Sequence, residues 1–265
     1  MSLAQTIDKG LGSFLVLKND LIGRYINYHG VWEKHLYEIY SQLIKPQDII
    51  LDGGANIGFH TVQFAKLSTE GKVYAFEPQK LIFNLLSANI LLNDQSLKVE
   101  QYRLALGDKP GELHMQPLSM FDEKDGCHNY GGRGLTTENN NEKVKVITFD
   151  SLNIKPTMVK LDIQGSEIYA LRGMEKTINK CEPWFLLENY TSSKPNEHIN
   201  DKKVYKLLTS KGYKFFRFYF QNPNTKEMKP YEDCIVYKKN KHNFIEKFLS
   251  SKYTKLYELN KIKNE

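Results

Sequence analysis

Acidic residues recur where the buried-looking runs of this sequence stop: Asp52-Gly53-Gly54 after Ile49 to Leu51, Glu77-Pro78 after Val73 to Phe76, and Gly107-Asp108 after Val99 to Leu106. Asp162 follows Met158 to Leu161, and Glu188-Asn189 follows Trp184 to Leu187. Any one of these acids is explained as a turn or capping residue, but their recurrence at every run is not. The first turn, Asp52 to Gly58, opens a helix, and its glycines remove the Cβ that would hold a ligand off the backbone. It departs from G-x-G-x-x-G, because Asp52 stands before the first glycine, where a pyrophosphate at a helix N-terminus would meet negative charge. A phosphate-free cation fits better, and S-adenosylmethionine, with an ammonium and a sulfonium, is one. Glu77 lies 25 residues after Asp52, where a carboxylate accepts hydrogen bonds from both hydroxyls of a ribose.

These turns need a scaffold that brings strand ends together. The short continuous apolar runs read as strands buried on both faces, and Phe59 to Ala65, Leu81 to Leu92, Gly165 to Lys180 and Lys202 to Lys211 read as helices between them. A helix over 31–43 precedes the first strand and stops at Lys45-Pro46. Val144 to Phe149 alternates as a half-exposed strand does, and Phe215 to Phe220 with Cys234 to Tyr237, around Asn222-Pro223-Asn224, reads as a terminal hairpin. Alternation of strand and helix predicts an α/β, doubly wound, mostly parallel seven-stranded sheet with a C-terminal antiparallel hairpin. Ligands bind such sheets outside the carboxyl ends of the strands. The polar, Gly- and Asn-rich stretch 122–142 interrupts the pattern and reads as a working or disordered loop.

Three divisions follow: an N-terminal helical extension over 1–45, the α/β domain over 46–240, and a basic helix or tail over 241–265. Of the formal net charge of +6, the segment from Lys238 onward holds eight lysines against three glutamates, so the body is nearly neutral. Phe244, Ile245, Phe248, Leu249, Leu256 and Leu259 recur there at helical spacing, which reads as a docked helix with a solvated basic face. Cys127, Cys181 and Cys234 are odd in number and far apart, so a disulfide framework and a C-x-x-C metal spacing are both excluded. No apolar run reaches the ~18 residues of a membrane helix, and no secretory apolar core is visible, so a cytoplasmic protein is expected.

Taken in order, Leu51 to Gly58, Ala75 to Pro78, the spaced Asn89 and Asn93, Leu104 to Asp108, Val146 to Leu152 and Lys160 to Glu167 resemble the FkbM-type S-adenosylmethionine-dependent methyltransferases. The resemblance runs from about residue 48 to 188, and Gly30-Val31-Trp32-Glu33 looks like the element that precedes the family's first strand. Gln164 stands where the family often has Glu, and Gly53 where it often has Val. The resemblance implies the Rossmann-like class I methyltransferase fold and methyl transfer to oxygen, commonly on sugars, polyketides or glycans. Cofactor contacts are then expected from Asp52, Gly53, Gly54, Ala55 and Asn56, from Glu77 and Pro78, from Ala105 and Asp108, and from Asp162.

In-line transfer to a hydroxyl calls for positioning and for a group that removes a proton. Asp162 and His128 are the candidates; Asp162 reads equally as an orienting or capping residue, and His60 as a lining of the cofactor cleft. Tyr130 and Asn129 in the glycine-rich loop, with Glu188, suit a sugar or glycan acceptor, and the aromatic hairpin Tyr213 to Phe220 adds a wall or simply core. Asp162, Glu188 and Asn189 also match the positions of a divalent-metal set, the less favoured reading. Rival functions are an RNA ribose 2′-O-methyltransferase, an NAD enzyme disfavoured by Asp52, and a non-catalytic cofactor- or glycan-binding module. Without an Asn/Asp-Pro-Pro-aromatic element or a Pro-Cys nucleophile, a nucleic-acid partner is not expected. The acceptor's identity and the oligomeric state are not encoded in any motif.

Overall fold

A computed structural model of the chain describes residues 4–117, 127–139, 142–188, 199–221 and 228–253. Residues 122–126, Asn189, the turn Asn222-Pro223-Asn224 and the chain from 254 onward, all invoked above, lie outside the described residues.

The N-terminal segment, expected as helical, begins as an antiparallel hairpin of β1 (Ala4–Lys9) and β2 (Gly12–Leu17). Gly10 turns it at φ +57, and Phe14 and Val16 are buried on one face, the period of two that a strand imposes. α1 (Leu21–His29) starts at Asp20, whose carboxylate accepts from the Gly23 N–H, and stops at Gly30 in the left-handed conformation. The single helix expected over 31–43 is therefore preceded by another, and itself begins only at α2 (Lys34–Leu43).

β3 (Ile49–Gly53), α3 (Phe59–Leu67), β4 (Lys72–Phe76), α4 (Lys80–Leu92) and β5 (Val99–Tyr102) follow in the expected alternation. Asn89 on α4 and Asn93 at its C-cap clamp β2: the Leu15 N–H donates to Asn89 Oδ1 at 2.6 Å, and Asn93 Nδ2 donates to Ser13 O at 2.7 Å. The strand expected over 99–106 breaks at Arg103. β6 (Ala105–Leu106) leaves for a separate four-stranded sheet with β7 (Gly111–Met115), β8 (Leu135–Thr136) and β9 (Lys143–Ile147). The chain then runs through β10 (Met158–Leu161), α5 (Glu167–Gly173), α6 (Glu175–Cys181), β11 (Trp184–Glu188), α7 (Ile199–Ser210), β12 (Lys214–Gln221), β13 (Met228–Tyr237) and α8 (Asn243–Lys252).

The main sheet has the order β12-β13-β11-β10-β3-β4-β5. Its pairings from β11 to β5 are parallel, while β13 runs antiparallel to both β11 and β12. The sheet is thus mixed, where a mostly parallel one edged by a hairpin was expected. The hairpin docks through its second strand, so Cys234, Ile235 and Val236 lie buried inside the sheet and β12 forms its edge. One face of the sheet packs Ile50, Val73, Ala75 and Trp184 against α2, α3, α4 and α8; the other packs Leu51, Phe76, Leu161 and Phe185 against α5, α6 and α7. Ile245 and Leu249 seat the basic α8, as their helical spacing implied.

Candidate active site

The strand order reverses between β3 and β10, and beyond the carboxyl ends of these strands lies a cavity of about 330 Å³. Gly54, Ala55 and Asn56 line it from the β3–α3 turn, Glu77 and Pro78 from the end of β4, and Asp162, Ile163 and Gln164 from the end of β10. Phe76, Leu104, Ala105, Leu106 and Met115 form an apolar wall, and Leu21, Ile22, Trp32 and Glu33 close the side nearest the N-terminus. Asn129 and the segment from Gly131 to Leu135 return from the long polar stretch to complete it.

Gly54 is obligatory at the cavity floor. Its φ is +77, and a Cβ there would lie 1.9 Å from the carbonyl oxygen of Asp162. Three non-glycine residues on the cavity wall, Glu33, Asn56 and Gln164, also have positive φ, the kind of backbone strain that gathers at working sites.

Glu77 is buried, and its two oxygens accept from the backbone N–H groups of Asn56 at 3.0 Å and Gln79 at 2.9 Å. Burial pushes its carboxyl up to about 7, against the lowering effect of those two bonds. Lys160, a cation inside an otherwise apolar strand, places its Nζ 3.2 Å from Asp162 Oδ2. Burial works to lower its pKa, but Asp162, Asp52 and Glu33 outweigh burial and hold the ammonium charged. Burial likewise opposes ionisation of Asp162; Lys160, Glu188 and Gln164 overcome it, so Asp162 is an anion below its usual range. Glu188 is the opposite case: burial and the neighbouring Asp162 charge keep its proton on. Gln164 Nε2 donates to both carboxyl groups, at 2.9 Å to Asp162 and 3.0 Å to Glu188. The oxygens of this pair already serve protein donors, and no cluster of metal-ligating side chains is found among the described residues.

Other expected residues lie elsewhere. Asp52 is fully buried beneath the cavity, where Oδ2 accepts from the Thr61 hydroxyl at 2.6 Å. Its register neighbour is Lys160, and unlike Lys160 it does not line the cavity. Gly53 is buried in β3 against Leu161, and Asp108 is exposed beyond β6; neither lines the cavity. His128 is half-buried, with its backbone bonded to Asn19 and Leu21, and does not line the cavity. Tyr130 packs into the N-terminal core instead, donating its N–H to Asp20 Oδ1 at 3.2 Å.

Sequence reasoning assigned no role to Lys160, Gln79 or Arg133. Arg133 is fixed in the wall by donating to Gln116 O at 2.7 Å and Gln79 Oε1 at 2.8 Å. A lysine between Val159 and Leu161 was the one available signal, since a charge in a buried strand demands a partner. The cavity wall carries Glu33, Glu77, Asp162 and Glu188 beside Lys160 and Arg133, and because Glu188 keeps its proton the balance turns negative, and suits a cationic ligand, as Glu77 ionises.

Comparisons with known proteins agree with this geometry. Residues 52–215 match the Methyltransferase FkbM domain. Methyltransferase sdnD of Sordaria araneosa is 25% identical over 222 residues, covering 72% of this chain and 82% of that protein. The hexuronic acid methyltransferase AglP of Haloferax volcanii is 26% identical over 183 residues, covering 67% of this chain and 68% of that protein. The crystal structure of an FkbM methyltransferase from Methylobacillus flagellatus superimposes with a TM-score of 0.50 at 17% identity, covering 77% of this chain but only 50% of that one, a likeness of fold. With a domain match over more than half of its length and the cavity at the switch point of that fold, the chain belongs to the FkbM family of methyltransferases.

Proposed function

We propose that this methyltransferase uses S-adenosylmethionine to methylate a hydroxyl of a sugar, glycan or related small molecule. The observation that carries the cofactor half is Glu77, a carboxylate at the end of the second strand beside the glycine cradle of the first, in one acid-lined cavity. The residues present fit that group: Gly54 lets the β3–α3 turn close against the Asp162 carbonyl at the cavity floor, and Phe76, Leu104, Leu106 and Met115 offer an apolar wall for a base. When bound, S-adenosylmethionine supplies an electrophilic methyl group on a sulfonium.

The chain's own residues supply position and charge. Glu77, when ionised, accepts from the ribose hydroxyls through the lone pairs that Asn56 and Gln79 leave over. Asp162, tied to Lys160 and Gln164, faces positive charge as a fixed anion, and its depressed pKa makes it an orienting group rather than a base. Asn129, Arg133 and the protonated Glu188 add hydrogen-bonding groups on the acceptor side. A sugar acceptor is further supported by the relative named as a hexuronic acid methyltransferase.

Calorimetry with S-adenosylmethionine and NAD side by side tests the cofactor. Binding of NAD alone overturns the reading. A screen of monosaccharides and glycans for cofactor turnover tests the acceptor, and methylation confined to non-sugar acceptors removes that half.

A further inference from the structure

The α1–α2 turn brings to the cavity a carboxylate that the cofactor reading leaves unused. Glu33 is the N-cap residue of α2, yet its side chain makes no capping bond and its backbone, at φ 46 and ψ 58, is left-handed. Glutamate is a poor cap and a poor occupant of that conformation, at a cost of about 1–2 kcal/mol, so local helix chemistry does not account for it. What the turn achieves is to swing the carboxylate onto the cavity wall.

There the side chain is held from behind. Glu33 Oε2 lies 2.8 Å from His60 Nε2, and His60 Nδ1 lies 3.1 Å from the Tyr40 hydroxyl. A carboxylate only accepts, so Nε2 carries the hydrogen and Nδ1 accepts from Tyr40. Burial lowers the His60 pKa to about 3, so the ring stays neutral and takes up no second proton. Both ring nitrogens are engaged; the group this relay presents to the cavity is Glu33, beside the half-buried Trp32.

We propose that Glu33 binds the acceptor hydroxyl and takes its proton, with His60, backed by Tyr40, as the positioning residue. The inference rests on the hydroxyl-methylation reading above. The acceptor O–H bond breaks and its proton passes to the Glu33 carboxylate. The pair left on oxygen forms the bond to the methyl carbon, and the pair of the old carbon–sulfur bond stays on sulfur, giving an ether and a neutral thioether. Asp162 is less suited to this step, because the direct bond from Lys160 holds its carboxyl below the usual carboxylate range.

The test uses the full chain, S-adenosylmethionine, and the methyl pyranosides of glucose, galactose and mannose with glucuronic acid as probes. The sequence has two tryptophans; Trp184 is buried in the core, so a sugar-induced change in fluorescence reports on Trp32. For the probe that binds and is methylated, Glu33→Gln should lower kcat by roughly 10²–10⁴-fold. Sugar affinity should change only about fivefold, because the amide oxygen still accepts from the hydroxyl. His60→Ala should lower kcat with cofactor affinity unchanged, and His60→Gln, which keeps a donor, should recover part of it. Undiminished kcat in Glu33→Gln overturns the inference, as does a loss confined to sugar affinity. Should Glu33→Gln also lose cofactor affinity, far-ultraviolet circular dichroism decides: a native spectrum places Glu33 on the cofactor and overturns the inference, and an altered one passes the same kcat criterion to Glu33→Ala. If S-adenosylmethionine binds but no probe alters Trp32 fluorescence or is methylated, the sugar reading falls and this inference with it. If a probe is methylated while Glu33→Gln is fully active, this inference alone falls.

Discussion

Glu77 sits buried with a carboxyl pushed up to about 7, and a ribose-binding carboxylate must be ionised to accept two hydroxyl donors. Apparent affinity for S-adenosylmethionine is then the intrinsic affinity multiplied by the ionised fraction of the free protein. With a pKa of about 7, the apparent Kd exceeds its plateau about elevenfold at pH 6, twofold at pH 7 and hardly at all at pH 8. Between pH 6 and 8 binding should tighten about tenfold, or ~1.4 kcal/mol, with about half a proton released per ligand at pH 7. Calorimetry in two buffers of different ionisation enthalpy measures both quantities. Glu77→Gln should weaken binding at pH 8 by about 10–100-fold, the worth of hydrogen bonds to a charged group, and should abolish the protein's share of the pH dependence. Comparing the two proteins cancels any titration of the ligand itself. A wild-type slope that survives in Glu77→Gln, or a flat Kd in both, refutes the assignment.

The same carboxyl makes the ligand-free protein pH-sensitive: its folded pKa lies above the model-peptide value of 4.5, so its contribution to stability is full below pH 4.5 and is lost as pH rises through about 7. The loss is on the order of 3 kcal/mol, visible as a wild-type minus Glu77→Gln difference in melting temperature between pH 5 and 8. Gly54→Ala, which would drive its Cβ into the Asp162 carbonyl, should lower the melting temperature by roughly 6–12 °C for a loss of about 3 kcal/mol, read by circular dichroism. Lys160→Met strands Asp162 and Asp52 without their cation and should cost about 3–5 kcal/mol in urea unfolding. His128→Ala, outside the cavity lining, should leave turnover within about twofold.

Much of the scaffold was legible because a strand buried on both faces is written as a nearly continuous apolar run, and Ile49 to Leu51, Val73 to Phe76, Met158 to Leu161, broken only by Lys160, and Trp184 to Leu187 are such runs. The hairpin of β1 and β2 and helix α1 were missed: their apolar residues pack onto Ile57, Phe59 and Val62 of the first turn and α3, a burial that local periodicity cannot announce. The four-stranded sheet escaped for a similar reason, since β6 and β8 are two residues each and exist only through pairing with β9 and β7.

The sequence alone determined that acids end the buried strands and that glycines open the first turn, because strand burial and close backbone approach are local demands on residue type. Which acid lines the cavity was decided by the tertiary structure. Asp52 and Glu77 look equivalent along the chain, but the pleat turns Asp52 under α3 toward Thr61 and Lys160, while Glu77, just past its strand, bends into the cavity. Glu33 joined the site for the same kind of reason: a residue 27 positions from His60 becomes its partner only once α2 and α3 pack together. Spacing along a chain fixes what a residue is beside in its own element, and packing between elements fixes what it faces.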